Sequence, residues 1–300
     1  MHPLGSNENL GPSYLRKLIK EGGIVVAPGV FNAMGAIIAE RQGFKAIYLS
    51  GSGVAGNMGL PDLSLTTLTE VVDEARKITR ISKLPLIVDV DTGFGEVLNV
   101  ERTVVEMEAA KVSAIHIEDQ ILPKKCGHLN GKELISKQEM VEKIIAATSV
   151  RKNKEFMIIA RTDARAVEGL DAAISRARAY IDAGADAIFP EALENIDEFK
   201  KFARELDAPL LANMTEFGKS PLLSSKELEE IGYKIVIFPL TAFRASLKTM
   251  EFIYSTLLRE GTQRNMLDKI MTRKEFYDLI GYYSYESEDS EIKKKSSMKI

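Results

Sequence analysis

Leu86-Ile-Val-Asp-Val-Asp-Thr-Gly-Phe-Gly95 is an apolar, β-branched run that closes on two acids and a glycine-rich turn. Val100 to Ala110 follows it with apolar side chains three and four apart. The first pattern is that of a buried strand and the second that of a helix packed on it. The unit recurs. Apolar runs of the same kind lie at Ile24 to Ala27, Ala46 to Ser50, Ala114 to Glu118, Phe156 to Arg161, Ala187 to Pro190, Pro209 to Asn213 and Ile235 to Pro239. Helical spacing separates many of them, at Leu68 to Ile81, Lys137 to Val150, Leu170 to Ala183 and Ile196 to Leu206. Gly43, Gly184 and Gly232 stand before strands, where a left-handed cap ends the preceding helix. Eight such units in about 250 residues predict a parallel sheet closed into a (β/α)8 barrel, with an open doubly wound sheet as the alternative of equal local signature.

After the eighth strand the pattern is helical only, from about Ala242 to Leu258 and from about Met266 to Ile280. We read residues 1–285 as one barrel domain that includes these extra C-terminal helices, and the charged stretch 286–300 as a disordered tail. Helices beyond a complete barrel need something to cover, which suggests a homo-oligomer.

The 40 Lys and Arg against 43 Asp and Glu leave a formal charge of −3, which provides no field for a nucleic acid or an acidic membrane surface. A small molecule is the expected partner. The single cysteine, Cys126, excludes an intramolecular disulfide and any multi-cysteine metal site, and it fits a reducing compartment. No apolar run approaches a membrane span of roughly 18 to 20 residues, and Met1 to Lys20 has no leader pattern, so a cytoplasmic protein is expected.

In a (β/α)8 barrel the chemistry gathers at the C-terminal strand ends. Polar residues fall there repeatedly: Ser50 to Gly53, Asp89 and Asp91, His116 to Asp119, Arg161 to Asp163, Glu191, Asn213 and Thr215, Thr241 and Arg244. Asp89 and Asp91 are two apart on an extended segment, so both carboxylates project to one face, and Val88 and Val90 to the other. Paired oxygens suit Mg²⁺, which takes one or two carboxylates and keeps several waters, one of which Glu118 could hold. The plainer reading is that the two acids cap the next helix or pair with arginine. His116 reads as a hydrogen-bonded spacer of the barrel core. Cys126 stands among Lys124, Lys125 and His128, and nearby cations favour thiolate, so the expectation is a lowered thiol pKa. Ser50 to Gly53 lacks the P-loop pattern and suits a carboxylate equally well. Arg161, Arg244 and Arg273 offer forks for carboxylates, or for neighbouring acids.

Three strings in order, Asp89-Val-Asp-Thr-Gly-Phe-Gly95, His116-Ile-Glu-Asp-Gln120 and Lys124-Lys-Cys-Gly-His128, resemble the isocitrate lyase and phosphoenolpyruvate mutase superfamily, the last being its lyase signature. Tyr48 to Val54, Gly59 to Asp62, Ala160 to Ala164, Phe189 to Ala192, Ala212 to Gly218, and Thr272-Arg273 through Tyr283 are similar to its branch that acts on 2-methylisocitrate. The likeness runs from about Leu15 to Glu286. It implies a barrel, usually a homotetramer with C-terminal helices exchanged between subunits, and Mg²⁺-dependent cleavage of 2-methylisocitrate to pyruvate and succinate in propionate catabolism. It further implies Asp89 and Asp91 as metal ligands, with Asp62 and Glu118 acting through water. Ser50, Gly51, Ser52, Cys126, Gly127, Arg161, Glu191, Asn213, Thr215, Arg244 and Arg273 would contact substrate, and Cys126 would donate a proton to the departing succinate carbanion. Tyr48, Glu118 and metal-bound water are candidates for the base. Ser52 departs from the glycine of many relatives. Isocitrate lyase, 2,3-dimethylmalate lyase and other 2-hydroxy acid lyase activities remain alternatives. Phosphoenolpyruvate mutases and oxaloacetate hydrolases typically lack the cysteine loop.

Overall fold

The computed structural model describes residues 9–297, so the start of the expected domain and the last three residues of the expected tail lie outside the described residues. Two compact units divide the chain, one of Asn9–Phe243 and one holding Arg244 onward.

In the first unit, helix α1 (Gly11–Lys20) precedes β1 (Val25–Val30), α2 (Ala33–Arg41), β2 (Ile47–Leu49), α3 (Gly51–Asn57), α4 (Leu68–Ile81), β3 (Leu86–Asp89), α5 (Val97–Ala109) and β4 (Ala114–Glu118). Then come α6 (Lys137–Val150), β5 (Met157–Thr162), α7 (Leu170–Asp182), β6 (Ala187–Pro190), α8 (Ile196–Glu205), β7 (Leu211–Asn213), α9 (Ser225–Ile231) and β8 (Ile235–Phe238). The strands pair in the order β6-β5-β4-β3-β2-β1-β8-β7, all parallel, and a bridge between Ile188 and Leu210 brings the two ends together. The expected (β/α)8 barrel is therefore observed.

Alternation along each strand divides the core into two layers. Val88, Val90, Ile115, Ile117, Ile158 and Ala160 face the helix layer. Tyr48, Ile87, Ala114, Ile159, Phe189, Leu211 and Ile237 fill the barrel interior, joined by Leu15 and Ile19 of α1. Burying a large apolar side chain is worth about 1.5–3 kcal/mol, so the two layers supply most of the folding drive. Thr67 with Glu70 and Ser136 with Glu139 form reciprocal caps that start α4 and α6 at the expected residues. The short helices α2, α3 and α9 carry too few periodic positions for a sequence reading to place them.

The second unit departs from expectation. Helix α10 (Thr241–Glu260) begins in the barrel unit and continues into it, but the stretch read as one helix from Met266 to Ile280 is a 3-10 turn at Arg264–Lys269 followed by α11 (Arg273–Ile280). The break lies at Thr272, whose hydroxyl and Glu275 form a new capping box. The segment read as a disordered tail continues instead as α12 (Tyr282–Ser297). An i,i+4 pair, Lys293 with Asp289 at 2.5 Å, supports it. No described helix is long and apolar enough to cross a membrane.

Where β1 and β8 run side by side, Gly29 leaves room for the opposing main chain. A Cβ there would fall 1.9 Å from the Pro239 carbonyl oxygen. Gly29→Ala is expected to destabilise the protein by about 3 kcal/mol, the upper part of the overpacking range, read as a lower urea midpoint. An unchanged midpoint would show that the strands separate freely at this point.

Candidate active site

The carboxyl ends of the strands place nearly all the expected residues of the first unit at one end of the barrel. Parallel register sets Asp89 beside His116 and Glu118 beside Arg161. Asp89 and Asp91 are buried, and neither caps α5, whose N-cap is Glu96. The Gly51 N–H donates to Asp89 Oδ2 at 3.1 Å, and the Asp91 N–H donates to Asp89 Oδ1 at 3.1 Å. A Cβ on residue 51 would sit 3.1 Å from Asp89 Oδ2 and 3.2 Å from Asp91 Oδ1, so glycine keeps open a cradle between the two carboxylates. Asp91 holds a left-handed φ of 48°, a conformation that aspartate tolerates better than most residues.

Oxygen donors in a buried cradle fit a hard divalent cation. Glu118 adds to the fit: it is wholly buried, neither carboxylate oxygen has a hydrogen-bond partner, and its charge partner is Arg161 Nη1 at 3.2 Å. Among the described residues no three His, Cys, Asp or Glu side chains converge on one point, and Mg²⁺ does not require that many protein ligands. Asp62 is turned to the Lys124 ammonium, which also lies 3.0 Å from Asp91 Oδ1. Burial pushes the Asp91 carboxyl up to about 6 despite the opposing pull of Lys124, and burial raises Glu118 well above the usual carboxylate range. Burial acts upward on Asp89 as well, but the net shift is downward. His116 itself is depressed by burial to about 4 and is neutral at pH 7, so the charges of Lys124 and Arg161 keep Asp89 ionised there. His116 is the core spacer its position suggests: Nε2 meets the Tyr48 hydroxyl at 2.8 Å, and its ring stands edge-on to Phe189.

Arg161 is gripped by Asp163 through Nε to Oδ2 at 2.9 Å and Nη2 to Oδ1 at 3.2 Å, and its guanidinium lies 5.2 Å from the Phe189 ring centre. Glu191 accepts from Asn213 Nδ2 at 3.3 Å on each oxygen and lies 3.0 Å from His128 Nε2. Burial works to raise Glu191, but Arg161 and His128 overcome it and hold the carboxyl well below the usual range. Ser50 is buried at the head of α3, Ser52 is half-buried in its first turn, and Thr215 is half-buried after β7. Arg244 on α10 and Arg273 at the start of α11 belong to the second unit.

The cysteine loop packs into this group. A Cβ on Gly127 would lie 2.4 Å from Glu191 Cγ and 2.6 Å from Arg161 Nη2, so only glycine permits the approach. The thiol pKa corrects the sequence reading: burial pushes Cys126 up, not down. Its neighbours in sequence are engaged elsewhere, Lys124 with Asp62 and Asp91, Lys125 with the Gly131 carbonyl at 2.6 Å, and His128 between Glu191 and the Lys219 N–H, which its Nδ1 accepts at 2.9 Å. Adjacency in sequence did not become adjacency of charge. Two supporting residues have no role assigned from the sequence, although Asp163 is among the polar residues at the strand ends. Asp163 holds Arg161, and Lys132, buried on the far side of the loop, donates to Asp163 Oδ1 at 2.8 Å and to the Gly127 carbonyl. Nothing local marks Lys132.

The family described as phosphoenolpyruvate phosphomutase matches residues 15–258. A 2-methylisocitrate lyase of Aeropyrum pernix is 56% identical over 94% of this chain and 91% of its own length, and one of Escherichia coli is 45% identical over 96% and 98%. Among solved structures, 2,3-dimethylmalate lyase superposes with a TM-score of 0.89 at 35% identity, covering 95% of this chain and 96% of that one. Phosphonopyruvate hydrolase in complex with oxalate and Mg²⁺ superposes at 0.86 with 30% identity, covering 94% and 99%. A barrel carrying an acid pair at the end of β3, matched over this length, defines the class: the chain belongs to the phosphoenolpyruvate phosphomutase family, within the phosphoenolpyruvate mutase and isocitrate lyase superfamily. Inside it the chain groups with the 2-methylisocitrate lyases and is a carbon–carbon lyase.

Because Cys126 is the only cysteine, its titration can be read directly. Alkylation by iodoacetamide is expected to rise with a midpoint above the ordinary thiol value of about 8.5 and to be slow at pH 7. Fast alkylation at neutral pH would restore the cation-activated thiolate.

Proposed function

We propose that this chain cleaves 2-methylisocitrate to pyruvate and succinate with Mg²⁺, and that Cys126 is the proton donor. The observation that carries the reading is the packing of the Cys126-Gly127 loop against Arg161 and Glu191, at the same barrel end as the Asp89 and Asp91 cradle. The identity to curated 2-methylisocitrate lyases, higher than to any of the solved structures of other lyases and hydrolases cited above, supports the choice of substrate. Asp89 and Asp91 would hold the ion, with Asp62 and Glu118 beside it. When bound, Mg²⁺ supplies a Lewis acid that steadies negative charge on substrate oxygens during retro-aldol cleavage.

The protein's own residues do the rest. Arg161, fixed by Asp163, presents its guanidinium to a substrate carboxylate, and Gly51, Ser50 and Ser52 offer donors from the head of α3. Glu191 and Asn213, with Thr215, would orient the remaining polar groups. Arg244 and Arg273 are assigned to substrate carboxylates on the strength of the motif. The substrate hydroxyl gives its proton to a base, for which the motif leaves Tyr48, Glu118 and water as candidates, and its oxygen becomes the carbonyl of pyruvate. As the carbon–carbon bond breaks, the electron pair stays on the carbon that becomes a methylene of succinate, and Cys126 delivers its proton there and is left as thiolate. A thiol raised by burial is protonated at neutral pH, which is the state a donor needs. Phe189, buried and apolar beneath Arg161, suits the substrate methyl, with Ile237 nearby on the same inner layer.

The second unit suits a homotetramer with exchanged C-terminal helices: α11 and α12 contain no buried residue, and Phe276, Tyr282, Tyr283 and Tyr285 are exposed along them. Light scattering should then give four times the chain mass, and a monomer at micromolar concentration would remove this part of the proposal. A reduced cytoplasmic setting matches the free thiol.

The deciding experiment is a coupled 2-oxo acid assay with 2-methylisocitrate and isocitrate in parallel. Pyruvate and succinate are expected, with chelator abolishing turnover and a preference for the methylated substrate of about 10- to 200-fold in kcat/KM. Dominant glyoxylate, or no turnover of either, would move the assignment to another 2-hydroxy acid. Cys126→Ser should bind substrate and lose nearly all turnover, since a serine hydroxyl is a far weaker acid; near-parental activity would end the donor role.

A further inference from the structure

Cys126 lies between two buried polar side chains that grip the main chain on either side of it. Gln120 is 1% exposed, and its amide faces Lys125. Nε2 donates to the Lys125 carbonyl at 2.9 Å, while Oε1 accepts from the Lys125 N–H at 3.0 Å. A primary amide presents a donor and an acceptor side by side, so one side chain holds both main-chain groups of the residue before the thiol. On the other side, Lys132 donates to the carbonyl of Gly127 and to Asp163 Oδ1, with its side chain 1% exposed. The ends of the loop are closed by two further bonds, Ile121 N–H to the Glu133 carbonyl at 2.9 Å and Ile135 N–H to the Asp119 carbonyl at 3.0 Å. Gln120 ends the strand-four motif, and the reaction as derived above leaves it without a task.

We propose that Gln120 and Lys132 are positioning residues for the Cys126 thiol, fixing the peptide groups at residues 125 and 127 so that the sulfur meets the carbanion at the distance and angle that proton transfer requires. The proposal rests on the reading of Cys126 as proton donor. The amide makes its two hydrogen bonds to the loop and none to the acid pair or Arg161. The ammonium shares Asp163 with Arg161, so its removal reaches substrate binding as well. The two residues are thereby distinguishable.

The test uses Gln120→Met, which keeps the length and removes both bonds, and Lys132→Met. Each is compared with the parent for kcat, KM, thermal midpoint and the rate of Cys126 alkylation, followed by mass. For Gln120→Met, kcat is expected to fall about 10- to 100-fold, the cost of misplacing a reacting group by about 1 Å, with KM unchanged and alkylation faster. Lys132→Met should lower kcat and raise KM together. A role in stability alone would lower the thermal midpoint while leaving kcat and alkylation of the folded protein at parental values, and that result overturns the proposal. Should Gln120→Met not fold, Gln120→Glu keeps one acceptor, sets a carboxylate oxygen against the Lys125 carbonyl, and is read in the same way. If Cys126→Ser retains turnover, the donor reading fails, while the alkylation rates still decide whether the grip exists.

Discussion

The pairing of Arg161 with Asp163 inside the barrel mouth is the contact on which the site depends. A buried guanidinium is tolerable only when it is paired and hydrogen-bonded, and breaking such a pair typically costs about 3–5 kcal/mol. Asp163 meets Arg161 through both oxygens and is itself held by its N–H, which donates to Asp119 Oδ1 at 2.9 Å. Asp119 collects the Thr162 and Tyr180 hydroxyls, each at 2.8 Å. The network anchors β5 to the loop after β4 and the helix layer in one set of bonds. It also leaves one face of the guanidinium against Phe189, directed by packing instead of by solvent.

From that anchor the rest of the site follows by parallel register. Glu118 lies on the rung beside Arg161 and Asp89 on the rung beside His116, so the cross-strand neighbour of each acid is set by backbone pairing alone. Their environments then diverge. Asp89 receives two main-chain N–H bonds and stays ionised, whereas Glu118 receives none and is driven toward its neutral form by burial. Two carboxylates at one barrel end are thus set in different protonation states by their surroundings and not by residue type.

The loop carrying Cys126 is organised on the same principle. Lys124 and Lys132 direct their ammonium groups to acids on two different sides of the mouth, and the thiol between them is left partly buried without a cation of its own. The loop is therefore tied to the acid cradle at one end and to the partner of Arg161 at the other.

Much of this was legible in the residues themselves. Strand and helix alternate at their own periods, and the acids, arginine and asparagine recur at strand ends, so barrel and site end could be read from local pattern. Other features had no local sign. The thiol was expected to be activated by neighbours in sequence, and folding turned Lys124 and His128 toward partners far along the chain, Asp62 and Glu191, and Lys125 toward the 131 carbonyl within its own loop. The helix expected from Met266 was divided by a cap, and the charged end continued as helix where disorder was expected. Sequence by itself determined the fold, the acid pair and the single thiol, because periodicity and residue type are local properties. Only the tertiary structure decided which charges are neutralised, which acids keep their protons and what holds the sulfur, because electrostatic fields and hydrogen bonds depend on distances that close when the barrel does.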